Sequence, residues 1–120
     1  MARVKVKLIG LIEPVDESAR AAFEEWYLGN HVQDVSHTPG IVSATVHRMV
    51  KSFSSDDPPE YVTIYEFDSP QQGDAEEALF SYLRKPTWPG SKRPNGSMKI
   101  ISAGWYEVER SFVGGQEVGD

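Results

Sequence analysis

The chain has 120 residues, with 12 Lys and Arg against 18 Asp and Glu, and it contains no cysteine. This length favours one domain, since domains cluster at roughly 100–150 residues. The lack of cysteine excludes disulfides, thiol nucleophiles and thiolate metal ligands. The net charge of −6 and the absence of a basic stripe argue against a nucleic-acid partner.

The apolar runs of the sequence are short. The longest one, Leu8 to Ile12, is far below the ~20 residues of a membrane span. Lys5 and Lys7 come before it, but Glu13-Pro14 follows it instead of a small-residue cleavage site. We therefore expect no membrane partner and a cytoplasmic location.

The first half of the chain predicts a strand, a helix and a second strand. Apolar and polar residues alternate from Val4 up to the breaker at Glu13-Pro14, as in a β-strand. Beyond Asp16, a candidate N-cap, apolar residues recur at helical spacing: Ala19, Ala22, Phe23, Trp26 and Tyr27. Gly29-Asn30 should loosen or end this helix, and residues 31–37 should form another short helical stretch. The β-branched segment 41–53 predicts a long strand.

The second half predicts a strand, a helix, a long loop and a last strand. Tyr61 to Phe67 alternates as a strand that would pair with segment 41–53. A capping-box spacing from Ser69 predicts a helix that begins near Pro70 and ends before residue 86. A Pro/Gly-rich loop should follow, then a strand over 98–108. We expect one domain over residues 1–112 and a flexible acidic tail over 113–120.

This order of elements favours a ferredoxin-like α+β fold. Its βαββαβ pattern allows a four-stranded antiparallel sheet with both helices on one face. The other face would then be bare, although segment 41–53 carries apolar residues on both of its sides. Because large exposed apolar patches mark interfaces, we expect a homodimer that forms through the sheet faces.

One region resembles a known family. The run Phe23-Glu24-Glu25-Trp26-Tyr27, then Asn30-His31, Asp34 and Thr38-Pro39-Gly40-Ile41 is similar to EthD-like members of the dimeric α/β-barrel superfamily. In that family an aromatic pair late in the first helix is followed by a His and by a Pro-Gly turn. The resemblance implies the dimeric α/β-barrel fold and aligns the family's helix-end His with His31. The superfamily includes cyclases, isomerases, lyases, haem-degrading oxygenases and members without an assigned activity.

His31 is the main candidate for catalysis. If the helix continues through Asn30, then Tyr27, His31 and Asp34 share one face. A carboxylate beside an imidazole fixes its tautomer and raises its basicity, as a general base requires. Alternatively, His31 serves the irregular turn at Gly29, and Asp34 is a solvated residue at a helix start. The family resemblance favours the catalytic role.

The other histidines suggest less. His37 precedes the Pro-Gly turn, where a polar residue usually serves the helix end. His47 lies within the second strand, so it either joins a pocket on the helix side or lies in the dimer interface. No HxH or HExxH spacing occurs, and open zinc sites need three convergent ligands. We therefore expect no metal.

Large aromatic residues are numerous for a domain of this size. They fall on predicted helices and strands as Trp26, Tyr27, Tyr61, Tyr65, Phe67, Trp105 and Tyr106. Residues at such spacing usually form a core, but buried tyrosine hydroxyls need partners, and a bound aromatic ligand would supply some. In the predicted loop, Trp88 with Lys92 and Arg93 forms either a lid over an anionic substrate group or an ordinary solvated loop.

These patterns favour a cofactor-independent enzyme that transfers protons in a small, mostly apolar aromatic or polyketide-like compound, as a cyclase, isomerase or lyase. The predicted catalytic residues are His31 as general base, Asp34 to orient it and Tyr65 to polarise a carbonyl. The predicted substrate-binding residues are Trp26, Tyr27, Tyr61, His47, Trp88 and Trp105. One alternative is a haem-binding or haem-degrading monooxygenase with a histidine ligand. Another is a dimer that binds a small molecule without catalysis.

Overall fold

The structure is a computed structural model that describes residues 4–69, 71–84 and 96–119. Four long strands form one sheet: β1 (Val4–Pro14), β2 (Ile41–Arg48), β3 (Tyr61–Ser69) and β4 (Met98–Glu107). After a 3₁₀ turn (Glu17–Ala19), the first helical run consists of α1 (Arg20–Phe23), a π-helix (Glu24–His31) and α2 (Val32–Val35). The second helix is α3 (Gln72–Leu83), and a hairpin of β5 (Ser111–Val113) and β6 (Gln116–Val118) follows β4. None of the helices in these ranges has the length and apolar character of a membrane span.

The sheet has the strand order β2-β3-β1-β4, and all neighbouring strands are antiparallel. The central strand β1 places Leu8 opposite Tyr65 of β3 and opposite Trp105 of β4. The first and third strands of the chain, β1 and β3, lie in the middle of the sheet, as in a split βαβ fold. The predicted ferredoxin-like α+β architecture is therefore confirmed.

The two faces of the sheet differ in composition. On β3, Tyr61, Thr63, Tyr65 and Phe67 are buried against the helices, whereas the residues between them are half-buried on the opposite side. This confirms the predicted alternation. We call the helix-free side the open face. Its centre is apolar, because Ile9 lies opposite Ile64 and Leu11 lies opposite Val62.

The first helical run does not end at Gly29-Asn30, as the sequence predicts. Asp16 caps its start as expected, with Oδ1 accepting a hydrogen bond from the Ala19 N–H at 3.0 Å. The backbone then widens into a π-helix, in which the N–H of Val32 bonds to the carbonyl of Tyr27, five residues earlier. The Asn30 side-chain amide donates to the carbonyl of Glu25 at 3.1 Å, which supports the wider turn. The residues that suggested a break thus sit in a continuous helix.

Two other predicted boundaries are corrected. Strand β2 ends at Arg48 and not at residue 53, because only the N–H of Met49 continues the pairing, to the carbonyl of Glu60 at 2.7 Å. Val50 and Phe53 are 92% and 99% exposed, so β-branched composition overestimates the strand. Helix α3 begins at Gln72, whereas the predicted cap residue Ser69 ends β3. Pro70 lies outside the described residues.

The C-terminal segment forms a hairpin where the sequence predicts a flexible tail from residue 113. Gly114 and Gly115 have φ values of +57° and +81°, as both central residues of a type I′ turn require. The Arg110 guanidinium donates to both carboxylate oxygens of Glu117, at 2.8 and 3.0 Å. The hairpin strands therefore cross the predicted boundary at residue 112.

Candidate functional site

A cavity of about 150 Å³ lies between the helices and the sheet. Strands β1, β3 and β4 line it, together with the first helical run and α3. Its lining consists of Leu8, Gly10, Ile12, Tyr27, His31, Val35, Thr63, Tyr65, Leu79, Leu83, Met98, Ile100 and Ala103. Four of these described residues carry polar side-chain groups, and the others are apolar or glycine. Apolar walls with a few polar groups are typical of small-molecule sites.

The hydroxyl groups of the cavity form a short chain. The Tyr27 hydroxyl and the Thr63 hydroxyl are 2.7 Å apart, and both residues are almost fully buried, at 4% and 1% exposure. Tyr65 also interacts with the hydroxyl of Tyr27. Burial raises the pKa of Tyr27 and, more strongly, that of Tyr65. Both phenols therefore keep their protons near neutral pH and can act as hydrogen-bond donors.

The π-helix holds the imidazole of His31 at the cavity. Its ring stacks on Trp26, with centroids 4.3 Å apart and planes at 24°, and it lies 5.5 Å from the ring of Tyr27. Because a π-helix bonds residue i to residue i+5, Trp26 and His31 come one above the other. Burial lowers the pKa of His31 from 6.5 to about 4. The imidazole is therefore neutral at pH 7.

Asp34 does not support His31 in the predicted way. Its Oδ2 is buried and has no hydrogen-bond partner among the described residues, and the pKa of His31 is lowered by burial and not raised by a carboxylate. Helical side chains lean toward the N-terminus of their helix. The His31 ring accordingly stacks on Trp26, which comes five residues earlier.

Three predicted substrate-binding residues lie away from the cavity, which corrects their expected role. The Tyr61 hydroxyl donates to Glu24 at 3.3 Å, and the Trp105 ring packs on Phe67 with centroids 5.2 Å apart. Both therefore contribute to the core. His47 lies on the open face, where Nε2 is 3.0 Å from the hydroxyl of Thr45. The register of β2 thus settles which face His47 occupies.

The remaining predicted residues divide into two groups. Tyr27 lines the cavity as expected, and Trp26 is half-buried behind His31, on which it stacks. Trp88, Lys92 and Arg93, which would form the lid, lie outside the described residues. Thr63 is the polar lining residue that the sequence did not single out. Its position between Tyr61 and Tyr65 on an alternating strand is the signal that could have identified it.

A larger depression on the surface does not form a metal site. It measures about 400 Å³ and brings several carboxylates together beside Arg20, including Glu13, Asp57 and Glu60. The Arg20 guanidinium donates to Glu60 Oε1 at 2.8 Å and so neutralises part of this charge. Within residues 4–69, 71–84 and 96–119, no group of three or more His, Cys, Asp or Glu side chains could hold a metal ion.

The fold is ferredoxin-like, and three solved structures share it. A "putative monooxygenase" from Shewanella loihica PV-4 aligns with a TM-score of 0.59 over 92% of this chain and 100% of its own. HapK from Hahella chejuensis aligns with a TM-score of 0.55 over 92% and 99%. A protein of the ethyl tert-butyl ether d (EthD) family from Bacillus halodurans C-125 aligns with a TM-score of 0.50 over 84% and 96%.

Each of these proteins is 19% identical in sequence to this chain, so the similarity establishes the fold. No family model matches the sequence, and no curated protein matches it significantly. The ferredoxin-like fold that the resemblance to EthD-like proteins implies is therefore confirmed.

Proposed function

We propose that this protein is an enzyme that moves a proton within a small, mostly apolar cyclic compound bound in the cavity, without a cofactor. The observation that carries the proposal is a neutral imidazole, His31, in the same apolar cavity as the hydroxyls of Tyr27, Thr63 and Tyr65. A base and a set of hydrogen-bond donors around one small volume are what proton abstraction next to a carbonyl requires.

His31 is the proposed general base. A base must be unprotonated to accept a proton, and burial keeps the imidazole in that state at pH 7. Its stacking on Trp26 fixes the plane of the ring, so little orientation is lost when a substrate binds. A pKa of about 4 makes the imidazole a weak acceptor. We therefore expect substrates in which a neighbouring carbonyl makes the C–H bond acidic.

The hydroxyls of the cavity are the proposed hydrogen-bond donors to the carbonyl oxygen of the substrate. When a C–H proton between the carbonyl and a ring C=C moves to His31, the electron pair delocalises over the C=C and the carbonyl oxygen, which gives a dienolate. Tyr65, with Tyr27 behind it, donates a hydrogen bond to that oxygen, and the protonated His31 returns the proton to a different carbon. The net result is an isomerisation with no gain or loss of atoms. Donors aimed at developing charge in a dry site are worth several kcal/mol.

The proposed role of Asp34 is electrostatic, without a hydrogen bond to His31. It follows His31 by three residues on the same helical run, and its Oδ2 is buried. A carboxylate on the next turn of the helix would stabilise the imidazolium that forms during the reaction. This effect is smaller than that of a direct hydrogen bond, so the expected contribution of Asp34 is modest.

The similarity to a structure described as a monooxygenase favours a second candidate. The same deprotonation by His31 would give a carbanion, which could then react with dissolved O₂ and form a hydroperoxide. Haem does not fit the described cavity, because about 150 Å³ is below the ~300–1,000 Å³ of sites for drug-sized ligands, and a haem macrocycle is no smaller than such ligands. Uptake of O₂ during turnover separates this candidate from isomerisation.

The test uses 3-cyclohexen-1-one, a neutral single-ring ketone. Its conversion to the conjugated 2-cyclohexen-1-one moves one proton from C2 to C4 and is followed by ultraviolet absorbance. We expect the protein to accelerate it and His31→Gln to lower the rate by about 10²–10⁴-fold. His37→Gln is the matched control, because His37 is exposed and outside the cavity lining. Equal rates for the protein and His31→Gln would refute the proposed role.

We also propose that two copies pair through the open face. Ile9, Leu11, Val62 and Ile64 make an apolar centre there, and no helix of the described chain packs on that side. Light scattering should give twice the 13.4 kDa of one chain. Ile64→Glu should produce a monomer, whereas Val50→Glu, in an exposed loop, should not. A wild-type monomer at micromolar concentration contradicts this assembly.

A further inference from the structure

We infer that the cavity selects a neutral ligand with a single ring and one oxygen substituent, as in a phenol or a cyclic ketone, and rejects the anionic form of the same ligand. The inference rests on the proposed function for the location of the site. It concerns binding, so it does not depend on whether His31 performs catalysis.

The size of the ligand follows from the cavity. An engineered cavity of ~150 Å³ lined by Leu, Ile and Phe in another protein binds benzene. The volume here is about 150 Å³, and most of its lining is aliphatic, with Leu8, Ile12, Leu79 and Leu83 on the walls. One six-membered ring fills this space. A fused second ring would extend beyond the residues that line this space.

The charge of the ligand follows from the lining residues. None of those described is Lys, Arg, Asp or Glu, and His31 is neutral at pH 7, so the lining offers a charged ligand no ion pair at this pH. Transfer of an unpaired anion into an apolar site costs far more than transfer of its neutral form. A phenol is therefore bound as the phenol and not as the phenolate.

The oxygen substituent follows from a count of hydroxyl protons. Tyr27, Thr63 and Tyr65 carry three O–H protons, and the contacts of Tyr27 with the other two use two of them. One proton is left for an acceptor outside the chain of hydroxyls, and buried donors rarely remain unpaired. A ligand oxygen at this end of the cavity accepts that proton.

The first experiment measures binding of 4-cyanophenol by calorimetry as the pH rises through the pKa of this ligand. We expect the dissociation constant to rise about tenfold for each pH unit above that pKa, because only the neutral form binds. Benzonitrile has the same ring without the hydroxyl, and its affinity should not change over this range. Equal affinity for both ionisation states, or no binding of either compound, would overturn the inference.

The second experiment tests size and the oxygen contact. We expect 1-naphthol to bind at least tenfold more weakly than phenol. Tyr65→Phe should lower the affinity for phenol about tenfold and leave the affinity for toluene unchanged. Thr63→Val is a second variant in case Tyr65→Phe does not fold. Naphthol binding as tight as phenol binding would refute the single-ring limit.

The two proposals can fail separately. If 3-cyclohexen-1-one is not isomerised but the neutral phenol is selected, the proposed chemistry is wrong and the ligand class stands. If isomerisation depends on His31 but phenolate binds as well as phenol, the catalytic proposal stands and the ligand class is wrong.

Discussion

The rings of Trp26 and His31 are stacked, with centroids 4.3 Å apart and planes at 24°. In an α-helix of 3.6 residues per turn, residues five apart point in directions about 140° apart around the axis. The stack therefore exists because residues 24–31 form a π-helix. Single turns of π-helix are often found at functional sites, and this one brings an imidazole to the cavity.

Gly29 tests whether the π-helix needs a flexible residue. A Cβ added at Gly29 would meet no described atom closer than the Glu24 carbonyl oxygen at 4.0 Å. Since Gly costs roughly 0.5–1 kcal/mol relative to Ala within a helix, Gly29→Ala should stabilise the protein by about that amount in urea unfolding. Gly40→Ala is the contrasting control. Gly40 has a φ of +94°, and a Cβ added there would lie 3.5 Å from Ser69 Oγ. Because residues with a Cβ rarely adopt this φ, Gly40→Ala should destabilise the protein. A loss of stability in Gly29→Ala would contradict the prediction.

Burial of His31 predicts how stability depends on pH. The folded chain holds the pKa of His31 at about 4, against an ordinary value of 6.5. Between these two values the unfolded chain binds a proton that the folded chain does not, so acid favours unfolding. The stability is complete above about pH 6.5 and falls as the pH approaches 4, by at most about 3 kcal/mol. Urea unfolding at several pH values should show this slope in the wild type and in His37→Gln but not in His31→Gln.

The Tyr27–Thr63 hydrogen bond predicts a coupling between two substitutions. Tyr27→Phe leaves the Thr63 hydroxyl buried without its 2.7 Å partner, and we expect a cost of about 1–3 kcal/mol. Thr63→Val should have a similar cost alone. The double variant should cost less than the sum, by about 0.5–3 kcal/mol, because no unpaired hydroxyl remains at that contact. Additive effects in a double-mutant cycle would show that the bond contributes little.

Asp34 predicts opposite effects on stability and turnover. Its Oδ2 is buried without a hydrogen-bond partner among the described residues, and a buried acceptor in that state is unfavourable. Asp34→Asn removes the charge and should raise the free energy of unfolding by about 1 kcal/mol. It should also lower the rate with 3-cyclohexen-1-one slightly, far less than His31→Gln does. A lower melting temperature in Asp34→Asn would mean that the carboxylate stabilises the fold.

The strands and their faces could be predicted from the sequence because they depend on local patterns. Alternation along β3 separated Tyr65 and Phe67 from Ile64, and the order of elements then limited the fold to a few arrangements. The π-helix could not be predicted in this way. Gly29-Asn30 has the composition of a helix end, and the tertiary packing of Tyr27 and Val32 in the core overrides that local preference.

The site was predicted in part for a similar reason. His31 and Tyr27 lie where the helical spacing and the family resemblance placed them, whereas the face of His47 depends on the pairing of β2 with β3, which the sequence leaves open. Tyr61 and Trp105 share a sheet face with Tyr65, but Tyr61 lies four residues away along β3, and Trp105 lies two strands across the sheet on β4. Periodicity shows the direction of a side chain and not how far along a strand a cavity extends.

Strand β3 is a common wall of the cavity and of the open face. Thr63 and Tyr65 point to one side, and Val62 and Ile64 point to the other. Inserting or deleting one residue here would exchange the two sets, since a one-residue shift turns every side chain to the opposite face. The hydroxyls would then lie in the assembly surface and the aliphatic side chains in the cavity. Changes in chain length should therefore be tolerated in the exposed loop around Phe53 and not in β3.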